Sequence, residues 1–257
     1  ISDDKSKDNT RAIVRQYIKN YTGRQKIILV AKKSNGGRGS AINSGLRRAS
    51  GEIVTAFDAD CVMDKKAIHK LVRHFTNPSI SAVAANVRIV GNGTVLGLLQ
   101  QVEYLVSFRS KKFNTIMNSE FIIGGAGASY RTSVLRAIGG FDDRMKTEDI
   151  ELSMRMTRIL GNKGGLMYAS DFVVYTEPVP TYKALFRQRY RWKFGSLQAL
   201  FHNKSLLFKL SRNQNPFTTW IRLPFSLWSE AMLLLEPIFF GLFVYLALAN
   251  HNPILFI

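Results

Sequence analysis

Apolar and polar positions along the chain alternate between a strand rhythm and a helical one, with turn residues at most of the changes. Ile1 to Thr10 reads as a strand end, a turn and a helix start, with Asp8 or Asn9 placed to cap it. Arg11 to Tyr21 carries Ile13, Val14, Tyr17 and Ile18 on one helical face, and Lys26 to Ala31 is a second strand. A glycine-rich loop, Ser34 to Ser40, leads into a helix over Ala41 to Ala49. Ile53 to Phe57 is a short apolar, partly β-branched run after Gly51, which fits a buried strand of an α/β sheet. Lys65 to Phe75 is an amphipathic helix stopped at Asn77 and Pro78, Ser81 to Ile89 a strand, and Val95 to Phe113 a longer helix. Phe121 to Tyr130 is apolar but crowded with Gly124, Gly125 and Gly127; it reads as a loose turn or as a close backbone approach to a ligand. Thr147 is placed to cap a helix running through Ile159. Leu166 to Tyr168 and Phe172 to Tyr175 are short strands, closed by Pro178 and Pro180.

The pattern changes after Pro180. Tyr182 to Arg212 interleaves Lys and Arg with Trp, Phe and Leu. A basic, aromatic-rich amphipathic helix lies on an anionic membrane face, or packs on a protein core with its basic side solvated. Gln188, Arg191 and Trp192 fall at i, i+3 and i+4 and share one face. Leu223 to Ala249 is long enough to cross a bilayer, which takes roughly 20 apolar residues, but Glu230, Glu236 and Pro237 interrupt it. The pattern predicts a helical turn at the interface and then a spanning helix, with Arg212 and Arg222 on the cytoplasmic side. Three parts follow: residues 1–180, an α/β domain; 181–222, interfacial helices; and 223–257, an incomplete transmembrane segment.

Charge narrows the partners. Among 257 residues, 36 Lys and Arg face 18 Asp and Glu, a formal charge of +18. That excess predicts an anionic partner: nucleic acid, a phosphorylated substrate or an acidic membrane surface. The single cysteine, Cys61, excludes an internal disulfide framework and reads as a small buried filler. His69 and His74 do not face one ligand and read as surface or packing residues. The chain begins at Ile1 and stops inside an apolar run, as a piece truncated at both ends would; no signal peptide is visible.

Candidate chemistry gathers at Asp58 and Asp60. They stand at the carboxyl end of the Ile53 to Phe57 strand with one small residue between them, so both point the same way. Two hard oxygen donors there suit Mg²⁺ or Mn²⁺ carrying a diphosphate, or else a turn that uses Asp for its backbone hydrogen bonds. Glu148 and Asp149 open a helix, where acidic residues are stabilising in any case.

Laid out in order, these pieces resemble the family 2 glycosyltransferases, specifically the membrane-embedded processive branch that makes cellulose, hyaluronan and poly-N-acetylglucosamine. Ile1 to Asp8 resembles the family's second strand and its Asp-Asp-Gly-Ser-x-Asp turn, and Asn35 to Asn43 its Asn-x-Gly-Lys-x-x-Ala-x-Asn stretch, with Arg38 for the usual lysine. Asp58-Ala59-Asp60 resembles the Asp-x-Asp signature, Thr147-Glu148-Asp149 the Thr-Glu-Asp motif, and Gln188 to Trp192 the Gln-x-x-Arg-Trp signature. Two features depart from it. The family's first strand has no counterpart here, and Gly124-Gly125-Ala126 sits where cellulose synthases carry Cys-Gly-Ser at the acceptor mouth.

The resemblance implies a GT-A-type, Rossmann-like domain followed by interfacial helices and a transmembrane helix, with the catalytic domain cytoplasmic. It implies Asp149 as catalytic base, and Asp4, Arg38, Asp58, Asp60 and Arg191 at the nucleotide. Gly125, Glu148, Gln188 and Trp192 would meet the acceptor, and Asp58 and Asp60 would hold Mg²⁺ or Mn²⁺. The implied reaction is inverting transfer from a UDP-sugar, UDP-N-acetylglucosamine favoured, to a growing β-linked polysaccharide at the plasma or inner membrane. The implied partners are donor, acceptor and membrane lipids, with room for an accessory membrane subunit and none for nucleic acid. A non-processive transferase acting on a lipid acceptor would carry the same motifs. A basic nucleic-acid- or lipid-binding protein without catalysis is the remote alternative.

Overall fold

Strand β5 (Ile80–Ile89) and strand β7 (Gly165–Thr176) run parallel as the spine of a five-stranded sheet in a computed structural model that describes residues 1–249. The strand order is β3-β6-β5-β7-β4, where β3 is Ile53–Ala56, β4 is Cys61–Met63 and β6 is Ala128–Arg131. The segments expected as two strands, Leu166 to Tyr168 and Phe172 to Tyr175, are one strand. Its pairing jumps from Ala85 opposite Ala169 to Asn86 opposite Val173, so Ser170 to Phe172 bulge out. The Asn86 side-chain amide donates to the Ser170 carbonyl at 2.8 Å and closes the bulge. Strand β3 differs from expectation too. It lies at the edge of this sheet with only Ala56 buried, because β6 pairs with it on one side among the described residues.

Helices cover both faces. Alternate residues Val83, Ala85 and Val87 of β5 face Leu71 and Phe75, from helix α3 (Ala67–His74) and its end. Ala82 and Ala84 face the other way, toward Leu135 of helix α5 (Thr132–Ala137) and Leu152 and Met156 of helix α6 (Glu148–Leu160). Helix α4 (Val95–Ile116) lies against this second face through Phe108, stacked on Tyr168 at 5.3 Å. A separate parallel pair, β1 (Ser2–Asp3) and β2 (Val30–Ala31), carries helices α1 (Thr10–Asn20) and α2 (Gly37–Leu46). The apolar face expected on α1 is not in the core: Ile13 and Tyr17 are more than half exposed.

Helix α7 (Tyr182–His202) starts beyond Pro180, with the Thr181 hydroxyl accepting from the Ala184 N–H. It packs on α6 through a small core of Phe121, Met154, Ala199 and Leu200. A π-helical turn, Phe217–Arg222, runs into helix α8 (Leu223–Ala249), which contains Pro237. Among the described residues no single helix is long and apolar enough to cross a membrane. Phe217–Met232 and Leu235–Ala249 meet length and composition together, across a bend of 50°. The remainder of the expected spanning segment, 250–257, lies outside the described residues.

Candidate active site

Arg38 organises the candidate site. It sits in the first turn of α2, and its guanidinium reaches two acids that are remote from each other in sequence. Nε donates to Asp58 Oδ1 at 2.8 Å, Nη2 to Asp58 Oδ2 at 3.4 Å, and Nη1 to Glu148 Oε1 at 2.6 Å. Nη2 also approaches the Gly125 carbonyl at 3.5 Å. Burial opposes the guanidinium's charge, but the hydrogen bonds to Asp58 and Glu148 and the nearness of Asp149 outweigh it, and the Arg38 pKa rises. One planar fork thus ties the end of β3 to the start of α6.

Asp149 is fixed from two sides. Its Oδ2 accepts from the Gly125 N–H and its Oδ1 from the Ile150 N–H, both at 2.9 Å. Gly125 holds φ at +80°, and a Cβ there would meet nothing within 4 Å, so it leaves open space beside the carboxylate. A Cβ on Gly124 would lie 3.1 Å from Asp149 Oδ2. Gly124 and Gly125 therefore line the Asp149 carboxylate, whereas Gly127 packs against Ala85 and Val174. Glu148, expected at the acceptor, is buried with its carboxylate on Arg38. The expected Thr147 side-chain cap is not formed, and the Thr147 hydroxyl is buried without a hydrogen-bond partner.

Asp58, Asp60 and Cys61 bring their donor atoms within 4.8 Å of one another. Asp58 is gripped by Arg38, whereas the Cys61 thiol donates to Asp60 Oδ1 at 3.2 Å. Burial pushes the Cys61 thiol up to about 11, so it is not a ready nucleophile at neutral pH. The hard donors are then the carboxylates, a set that fits Mg²⁺ or Mn²⁺, with Asp60 the less encumbered of the two.

Within the fold, Asp4 holds the start of α2. Its carboxylate accepts the Gly36 and Gly37 N–H groups at 3.0 and 2.7 Å and pairs with Lys32, so it caps α2 from outside the helix. Burial raises its pKa, and the Lys32 ammonium and the two amides more than reverse this, leaving it lowered. This capping starts α2 at Gly37, inside the expected glycine loop, and sets where Arg38 points.

On α7, Gly195 touches Thr147 directly, and the Gln198 side chain accepts the Lys146 N–H at 3.1 Å. Gln188, Arg191 and Trp192 precede Gly195 by seven, four and three residues and so share its face. Arg191 is exposed and makes no ion pair among the described residues. Gln188 Oε1 accepts from Arg189 at 2.9 Å, and the Arg189 guanidinium lies 4.3 Å over the Trp192 ring while pairing with Glu103. One Trp192 face is therefore already covered. The parts played by Glu103, Arg189 and Gly195 had no signal in the sequence. His74 pairs with Asp171 at 2.7 Å, away from this cluster, as a packing residue.

Residues 1–139 match the family model described as glycosyl transferase family 2. A curated relative, the poly-β-1,6-N-acetyl-D-glucosamine synthase of Staphylococcus epidermidis, is 29% identical over 239 residues, covering 86% of this chain and 54% of that protein. The chain spans about half the length of the curated relatives it matches. A solved mannosyltransferase from Pyrobaculum calidifontis, in complex with GDP-Man and Mn²⁺, superposes with a TM-score of 0.66 at 22% identity, covering 98% of this chain and 70% of that one. TarS residues 1–349 of S. aureus, in complex with UDP-GlcNAc, gives a TM-score of 0.50 at 18% identity, covering 77% of this chain and 56% of that one. At such identities these two structures speak to the α/β glycosyltransferase fold alone.

Proposed function

The chain belongs to glycosyl transferase family 2, and from that premise we propose that it carries the catalytic part of an inverting membrane glycosyltransferase. In this reading a sugar, N-acetylglucosamine favoured, moves from a UDP-sugar onto a growing β-linked polysaccharide. The observation that carries it is the Arg38 fork, which gathers Asp58, Glu148 and the Asp149 surroundings into one site. The poly-N-acetylglucosamine synthases among its relatives support the choice of sugar and product.

The donor's diphosphate would lie at the carboxyl end of β3, flanked by Arg38 and by Arg191 from α7. Asp60, with Asp58, would hold a divalent cation, which when bound would offset charge on the departing diphosphate. Asp149, oriented by the Gly125 and Ile150 amides, would take the proton from an acceptor hydroxyl. That oxygen bonds to the anomeric carbon from the side opposite the diphosphate, the bond to the diphosphate breaks, and UDP leaves with inversion from α to β. The open space at Gly125 supports acceptor approach there, and Gln188 and the free face of Trp192 would meet the acceptor ring. Asp4 would act on the nucleotide through α2 and Arg38. The basic residues of α7 and the bent pair ending in α8 support residence at and in a membrane; in this reading the catalytic domain lies on the cytoplasmic side.

Asp149→Asn tests the assignment. UDP-sugar binding should persist in titration calorimetry while turnover falls on the order of 100-fold or more. Parent-like turnover in a folded variant would overturn it.

A further inference from the structure

Helix α4 is apolar on two opposite faces. Its inner face buries Leu96 and Gln100 and sets Phe108 on the sheet. Its outer face carries Val95, Leu99, Val102, Val106 and Phe113, spaced to form one stripe, and each is between 51% and 70% exposed. A surface helix in water carries polar residues at those positions. This stripe therefore faces something other than water.

The flank of the stripe specifies the partner. A groove of about 510 Å³ opens between α4, the end of β5 and the bulge of β7, lined by Arg88, Arg109 and Lys112 together with Tyr104 and Tyr168. No carboxylate lines it, and none of the three cations makes an ion pair among the described residues. The stripe is also continuous with the C-terminal helices. The Phe113 and Phe217 rings meet at 6.4 Å, and the Asn215 amide donates to the Met117 and Asn118 carbonyls at 3.0 and 2.8 Å. Phe217 begins the turn that leads into α8, and Glu103 on α4 pairs with Arg189 on α7.

We propose that α4 docks on a bilayer containing anionic lipid, its outer stripe in the headgroup–acyl boundary and Arg88, Arg109 and Lys112 on headgroup phosphates. An apolar stripe bordered by unpaired cations is the pattern of an interfacial helix. The inference rests on the reading of this chain as a membrane enzyme, and adds a contact from within the catalytic domain. It fixes the height and tilt of the site above the lipid, because α4 stacks directly on β7.

The test uses the full chain in phosphatidylglycerol–phosphatidylcholine vesicles with brominated acyl chains. In a Cys61→Ser background, one environment-sensitive thiol label is placed at Leu99→Cys on α4, Tyr245→Cys on α8, or Ile68→Cys on the opposite side of the sheet. The proposal expects quenching at positions 99 and 245 and none at 68. Arg109→Gln and Lys112→Gln should each lower the docked-to-undocked ratio about five-fold, the equivalent of one cation at an anionic surface. Quenching at 245 but not at 99 overturns α4 docking and leaves the membrane reading standing; quenching at neither overturns both. A label at 99 shielded from lipid, with a doubled mass in light scattering, assigns the stripe to a second copy and overturns the proposal. Equal quenching at 99 in pure phosphatidylcholine overturns the role of the cations.

Discussion

Gly195 is where a single methyl group should separate fold from activity. A Cβ built there would lie 2.4 Å from Thr147 Oγ1, 2.5 Å from Cγ2 and 2.9 Å from Cβ. Thr147 cannot turn out of the way. Rotation exchanges the hydroxyl for the methyl at the same place, although no hydrogen bond would be lost because the hydroxyl has none. Helix α7 must therefore move off α6. Overpacking of this kind costs about 1–3 kcal/mol, which in a chain of this length lowers the melting temperature by roughly 2–12 °C. The displacement is transmitted along α7 to Gln188, Arg191 and Trp192, and a misplacement of about 1 Å at a reacting centre can cost on the order of 100-fold. Gly195→Ala should thus melt slightly early and release UDP far more slowly. Thr147→Ala, which removes Oγ1 and Cγ2 without breaking a hydrogen bond, should restore much of both in the double variant; the Thr147 Cβ at 2.9 Å leaves a remainder. If Gly195→Ala melts and turns over like the parent, or if Thr147→Ala restores nothing, the α6–α7 contact does not position the site.

Arg38→Lys keeps the charge but loses the fork, so one ammonium cannot hold Asp58 and Glu148 together. Turnover should fall about 10-fold or more, and adding Glu148→Gln should cost little further; additive losses would refute the bridge. Asp60→Ala should weaken UDP binding in Mg²⁺ or Mn²⁺ and leave it nearly unchanged in EDTA, and equal binding by parent and variant with metal present would make the carboxylates structural.

The strands and helices that meet their own periodicity were legible: β5, α3, α6 and the start of α7 stand close to where the apolar spacing puts them. Misreadings came where a distant residue decided local structure. Asp4 starts α2 at Gly37 from 32 and 33 residues away, so Ser34 to Ser40 looked like loop throughout. β7 looks like two strands because its bulge interrupts the apolar run, yet Phe172 within the bulge is fully buried and the pairing with β5 resumes beyond it in a shifted register. Strand β4 is three residues directly after Asp60, too short for any periodicity. At the site, the paired aspartates and the acidic helix start were visible as types at a spacing. Their union through Arg38 was not, since no pattern links residue 38 to residue 148. The outer stripe of α4 was hidden by its ordinariness, because apolar residues in a helix read as core until the core is found on the other side.

That bridge between residues 38 and 148 also has a bearing on how the protein is born. The Arg38–Glu148 contact spans 110 residues, and the Gly195–Thr147 contact requires a further 48 residues after Thr147. Contacts of such separation form late, because the intervening chain must be ordered before they repay its entropy. A nascent chain that has reached residue 139 holds both aspartates of β3's end but no Asp149 and no α7. Synthesis therefore delivers the Asp58–Asp60 half of the candidate site first, and Asp149 joins it only after α6 has closed over α2.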